Sequence, residues 1–218
     1  MKYKDHFGLF KLNGEMLLPP VFTYIDYFSN DRIRVFWSTM VMKTWNQITK
    51  IPDSIPYYNP NSLEYRASKR TALCDACGSI LNNLEYELIG AFINEYARAY
   101  KGITIKDDKI ISKQVGVIDI NGNTILDPNY DIIWLFENSS YAQVKREGVY
   151  GISNLINGNT KMFDNLKIKH LWKLDEQGRC LYSEDCVYDE EEECWTGGTR
   201  GLLNPDGVLI QAGKYKFR

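Results

Sequence analysis

The feature that most limits how this chain can fold is a short run of residues that returns five times along it. The clearest copy opens at Gly116 with Gly116-Val117-Ile118-Asp119-Ile120, meets Asn121-Gly122, continues through Thr124-Ile125-Leu126 and reaches Asp127-Pro128. An apolar strand meets a turn, returns as a second strand and then breaks. Asn-Gly between apolar runs predicts a two-residue type I′ hairpin turn, in which both central residues take positive φ. A chain that repeats this grammar is committed to antiparallel β structure.

Gly8-Leu9-Phe10-Lys11-Leu12-Asn13-Gly14 through Pro19-Pro20 aligns with the Gly116 copy without a gap. A degenerate copy opens at Ala72 and turns at Cys77-Gly78; two more open at Gly151 and Gly201, with turns at Asn157-Gly158 and Asp206-Gly207. In four copies the turn glycine lies six residues after the opening, and in the Gly151 copy it lies seven after. A third strand follows, as in Arg32-Ile33-Arg34-Val35, where charged and apolar residues alternate with the period of a half-buried strand. Phe10, Phe22, Phe28, Tyr86, Phe92, Tyr130 and Phe136 fall at recurring positions and are core candidates.

The expected architecture is all-β: about five imperfect antiparallel hairpin or three-strand repeats, stacked as an open solenoid-like or propeller-like single domain. Units are placed near 1–37, 66–101, 110–147, 148–175 and 195–218, with insertions near 38–65, 102–109 and 176–194. One hydrophobic layer is expected to run through the stack. Loops inserted into repeat stacks often gather on one binding face.

At Leu18-Pro19-Pro20-Val21-Phe22 and Leu126-Asp127-Pro128-Asn129-Tyr130-Asp131 the chain resembles the WG-repeat family. Units of that family run Trp-Gly, a strand, a Lys/Asn-Gly turn and a Pro-Pro-x-Tyr-Asp break. No Trp-Gly dipeptide is present here; Phe7-Gly8, Thr71-Ala72, Val115-Gly116, Tyr150-Gly151 and Arg200-Gly201 stand in its place. The resemblance implies a bacterial protein without a shared catalytic chemistry, similar in some members to immunity proteins encoded beside toxins.

Composition narrows the partners. A formal charge of −2 gives no electrostatic case for nucleic acid or an anionic membrane. The five cysteines lack disulfide-framework spacing and no secretory signal leads the sequence, so a reducing cytoplasm is the expected setting. Cys74 and Cys77 form a single CxxC pair, whereas a structural zinc site usually supplies a second close pair. The repeat alignment puts them on a strand and its turn, so structural cysteines are expected rather than a metal or redox site. Only His6 and His170 exist, and neither lies in a nucleophile motif. No catalytic residue, metal ligand or cofactor is singled out.

Two segments stand out as binding candidates. Asp189-Glu190-Glu191-Glu192-Glu193 is the one strong charge run, suited to a basic partner or to a plain solvated loop. Trp45, Tyr57 and Tyr58 fall outside the repeat pattern, where aromatics serve as anchors or pin their own loop. The expected function is a non-catalytic protein-binding module, an immunity-type inhibitor of a basic toxin or enzyme domain. The alternative is a carboxylate-based hydrolase acting on a glycan, peptide or phosphoester.

Overall fold

The computed structural model describes residues 2–3, 6–27, 31–37, 70–82, 86–106 and 109–215. The inserted segment near 38–65, with Trp45, Tyr57 and Tyr58, lies outside these residues. The described residues are all-β, and no helix among them is long and apolar enough to cross a membrane. They form small antiparallel sheets, none closed into a barrel. Two compact units, residues 1–128 and 129–218, are distinguished by their internal contacts.

Four of the six sheets among the described residues are shared between consecutive copies of the repeat. Met16–Phe22 pairs with His6–Phe10 in the first sheet, and the chain then bends at Thr23. Beyond the bend, Tyr24–Tyr27 pairs with Ile33–Trp37, which in turn pairs with Arg70–Cys74, the first strand of the next copy. The same exchange recurs where Tyr96–Lys106 pairs with Lys109–Asp119, and where Tyr141–Arg146 pairs with Val149–Asn154. The bends fall three residues after Pro20 and Pro128, at Thr23 and Asp131. There the backbone N–H leaves one sheet and donates to Phe36 O or Lys145 O of the next. The prolines sit inside strands at sheet edges, where a missing N–H breaks no ladder.

The repeating turns depart from the expected type I′ geometry. At Lys11–Glu15, Asp75–Ser79 and Asp119–Asn123, the fourth residue's N–H donates to the first residue's carbonyl. The first residue's N–H donates to the fifth's carbonyl, and glycine alone takes positive φ (86°, 85° and 83°). That is a three-residue loop, a type I turn closed by a left-handed glycine. An aspartate at the base favours it: Asp75 Oδ1 accepts the N–H of Cys77 and Ser79, and Asp119 Oδ1 accepts those of Asn121 and Asn123. The turn with two left-handed residues occurs elsewhere, at Glu147-Gly148 (51° and 82°), between the paired Arg146 and Val149.

Asp175-Glu176-Gln177-Gly178-Arg179 forms the same three-residue loop, with Asp175 Oδ1 accepting the N–H of Gln177 and Arg179. It opens at Trp172 rather than at glycine, so a search keyed to the opening glycine passes over it. Leu174 is buried in it, as Cys74 and Ile118 are at the matching places in their copies. The segment near 176–194 thus carries a repeat-type turn, the strand Cys180–Ser183 and a further hairpin. The segment near 102–109 continues the pairing of its flanking strands as one long hairpin.

The core gathers between successive sheets. In residues 1–128, Leu18 and Phe22 pack with Ile33, Val35, Ala72 and Cys74. Leu73 points the other way and joins Tyr86, Ile89, Ala97, Ala99 and Ile118. Arg70–Cys74 is therefore buried on both faces, and separate apolar layers replace the single continuous layer expected from the sequence. In residues 129–218, Tyr182, Phe163, Ile152 and Leu203 anchor another cluster. Ile33 and Val35 are buried while Arg32 and Arg34 stay half-exposed, as their alternation predicts.

One recurring pair ties a copy to its successor. Tyr86 and Tyr130 occupy the same position in their copies, and both are buried. The Tyr86 hydroxyl shares a 2.9 Å hydrogen bond with Thr124 Oγ1, and the Tyr130 hydroxyl donates to Thr160 Oγ1 at 3.2 Å. The first copy places Phe22 at the tyrosine position, and the next copy places Ile80 at the threonine position, in the same apolar cluster. Polar meets polar, or apolar meets apolar. Neither hydroxyl is left buried without a partner.

Candidate functional site

The acidic run forms the tip of a hairpin. Val187–Asp189 pairs with Cys194–Thr196, and Glu190–Glu193 close the loop between them. Asp189 Oδ1 accepts the N–H groups of Glu191 and Glu192 at 3.0 and 3.1 Å, and Glu193 turns at φ 49°. The glutamates at the tip are exposed. At the base, Asp185 Oδ1 accepts both the backbone N–H and the hydroxyl of Thr199, which holds the two ends of the excursion together. The carboxylates Asp189 to Glu193 are thus presented on a built hairpin.

Beside the tip lies a row of aromatic rings. Tyr188 and Trp195 face each other across the hairpin, with ring centroids 5.3 Å apart. Trp195 stacks on His170 at 5.0 Å and 26°, and His170 meets Trp172 edge-on at 4.5 Å. The Arg200 guanidinium lies 4.8 Å from the Trp172 ring centre. Trp172 follows the short strand His170–Leu171 and its N–H donates to Leu181 O. It lies two residues along from His170 and so toward the same face. Burial, and then the nearby charge of Arg200, hold the His170 imidazole below the ordinary histidine value. The ring therefore stays neutral at neutral pH and stacks as an aromatic.

Tyr188 is 45% exposed and Val187 69%, while the two tryptophans and His170 are half-buried. A run of partly open rings thus lies next to a concentrated negative charge. In the linear sequence His170 is an ordinary strand histidine, and nothing there singles out Trp172. The signal that points to Tyr188 and Trp195 is that they flank the acidic run, Tyr188 directly before it and Trp195 two residues after.

The CxxC pair is separated by the fold. Cys74 is buried in the core between sheets, where burial, with Asp75 adding to it, pushes the thiol up to about 12. Cys77 is exposed in the turn. No three His, Cys, Asp or Glu side chains converge as metal ligands among the described residues. Cys180 is likewise buried, and chiefly through that burial its thiol also rises to about 12. Reactivity follows the thiolate. Iodoacetamide at pH 8 will therefore label the exposed Cys77 and Cys194 in the folded protein and spare Cys74 and Cys180 until denaturant is added. Peptide mapping showing Cys74 labelled as fast as Cys77 would contradict this placement.

No curated protein matches the chain. A solved structure described as the crystal structure of the eukaryotic initiation factor is similar over 99% of this chain, at 9% identity and a TM-score of 0.33. This chain spans 62% of the length of that one. The family described as WG containing repeat matches residues 7–36 and 116–150. Both segments include an opening glycine beneath a proline-bearing strand and a turn closed by a left-handed glycine, and in both the chain carries WG-type β-repeats.

Proposed function

We propose that the chain is a non-catalytic protein-binding repeat module, and that the 187–196 hairpin with its aromatic row is its contact surface. The observation that carries this reading is the adjacency of the exposed Glu190–Glu193 tip to the Tyr188, Trp195, His170 and Trp172 rings. Aromatic anchors supply contact area, and clustered carboxylates select and steer a basic partner. The partner fitting this surface is a basic protein, such as a toxin or enzyme domain held by an immunity-type inhibitor. A cytoplasmic setting accords with five cysteines that all remain free thiols. Trp45, Tyr57 and Tyr58 are proposed as additional anchors of the same partner.

The test is affinity capture from the native cell, followed by calorimetry with the captured protein. Serine at all four of Glu190 to Glu193 is expected to weaken binding by at least tenfold at low salt and to flatten its salt dependence. Alanine at Trp195 is expected to weaken it by a factor of about 30, the loss typical of a buried aromatic anchor. Unchanged affinity in both variants, with the melting temperature preserved, would refute the assignment.

A further inference from the structure

A second site, separate from the acidic hairpin, lies where three turns of residues 129–218 meet. The loops Asn154–Asn159, Gln177–Arg179 and Asn204–Asp206 border a groove of about 380 Å3, with Tyr141 and Lys161 completing its wall. That volume suits a small molecule. Its lining is polar, which disfavours an apolar ligand.

The side chains of the groove are already oriented by the turns that carry them. Asn154 Oδ1 accepts the Ile156 N–H, and Asn157 Oδ1 accepts the Asn159 N–H, both at 2.9 Å. Asn204 Oδ1 accepts the N–H groups of Asp206 and Gly207 at 3.1 and 2.7 Å. With each carboxamide oxygen engaged by its own loop, each Nδ2 is left as a fixed donor. Arg179 is held in place by Asp175, whose Oδ2 accepts its Nε–H at 2.7 Å. That pairing leaves the terminal guanidinium nitrogens as further donors. Lys161 is exposed on the strand Thr160–Met162.

Side chains of the other repeat turns are paired within their turn, as Arg179 is with Asp175. In the Asp119 turn, Asn123 Nδ2 donates to Asp119 Oδ2, and in the first turn Lys11 pairs with Glu15 at 2.8 Å. In the groove, Lys161 and Arg179 line the wall together with the turn asparagines and one carboxylate, that of Asp206, while Asp175 pairs with Arg179 from beside it. Held amide donors beside Lys161 and the terminal guanidinium nitrogens of Arg179 match a phosphate-type oxyanion. The amides and Asp206 suit the hydroxyl groups of an attached sugar.

We propose that this groove binds a phosphorylated sugar-sized molecule, its phosphate held by Lys161, Arg179 and the asparagine Nδ2 groups. The test uses the full chain, titrated by calorimetry and amide NMR with glucose 6-phosphate, inorganic phosphate and glucose. Saturable binding is expected for glucose 6-phosphate, weaker binding for phosphate alone and none for glucose, with shifts centred on the Asn157 to Asn159 and Gln177 to Arg179 amides. Lys161→Gln and Arg179→Gln are each expected to weaken binding roughly tenfold, the loss of one charge-assisted contact.

Asp175→Asn serves as the control for Arg179. It removes the same ion pair but keeps both the guanidinium and an oxygen to hold the turn, so glucose 6-phosphate binding should persist. Four results would overturn the proposal: no binding of glucose 6-phosphate, equal binding of glucose, shifts confined to other regions, or undiminished affinity in both Lys161→Gln and Arg179→Gln.

Discussion

Alanine at Gly116 will lower the stability of the protein by about 2–3 kcal/mol, the cost of forcing an extra atom into closely packed structure. A Cβ at Gly116 would lie 2.5 Å from the carbonyl oxygen of Leu126 and 2.8 Å from the nitrogen of Pro128. Both obstacles are backbone, so no side-chain rotation relieves them. Gly8 meets the same crossing from Leu18 O and Pro20 N, both at 2.8 Å. In these two copies the opening glycine is thus required by the proline-bearing strand that lies against it. For a chain of this length the expected fall in melting temperature is roughly 5–10 °C.

Gly14→Ala separates crowding from backbone conformation. Gly14 has φ +86°, yet nothing lies within 4 Å of the place a Cβ would take there. Its substitution therefore costs about 1–2 kcal/mol for left-handed geometry alone. Thermal or denaturant unfolding checks both variants. A Gly116→Ala protein as stable as the parent would mean that the strands do not cross as closely as described.

Phe22→Ala carries the other large expected effect, a loss of about 3–5 kcal/mol for emptying a fully buried aromatic site. The more specific version uses the pairing of copies. Phe22→Tyr places a hydroxyl among the apolar side chains of the cluster that contains Ile80, and should cost about 1–3 kcal/mol as a buried unsatisfied group. Adding Ile80→Thr recreates the Tyr–Thr pair seen at Tyr86–Thr124 and Tyr130–Thr160, and should recover part of that loss. A double-mutant cycle giving a coupling of at least about 0.5 kcal/mol is the expected result. Strict additivity would show that the two positions do not meet as their equivalents do.

Much of the fold is legible in the sequence because its turns and strand faces are local. The recurring glycines, the alternation at Ile33 and Val35 and the recurring Phe22, Tyr86 and Tyr130 positions follow from near-neighbour sterics and from the burial of one strand face. The turn type differs from the expected one because Asn-Gly is a statistical signal. At Asp75 and Asp119 an aspartate three residues before the glycine organises the loop through its own Oδ1. The turn at Asp175 carries that aspartate and that glycine as well, but its copy opens on Trp172 instead of glycine.

The candidate sites are less legible, since they depend on which residues meet across the chain. The acidic run Asp189–Glu193 is visible as charge. His170 and Trp172 become its neighbours although they lie more than fifteen residues earlier, and Trp195 stacks on His170 only once that hairpin forms. The groove bordered by Asn157, Arg179 and Asn204 has no linear signature, because each turn supplies only part of its lining.

By itself, then, the amino-acid order determined a repeating antiparallel β chain, its opening glycines and the positions of its recurring aromatics. These are set by interactions a few residues long. Tertiary structure alone decided that Arg70–Cys74 is buried on both faces, and that rings and turns distant in sequence assemble into surfaces. Those outcomes depend on the packing of whole sheets, where burial is a property of the neighbours a residue acquires rather than of the residue itself.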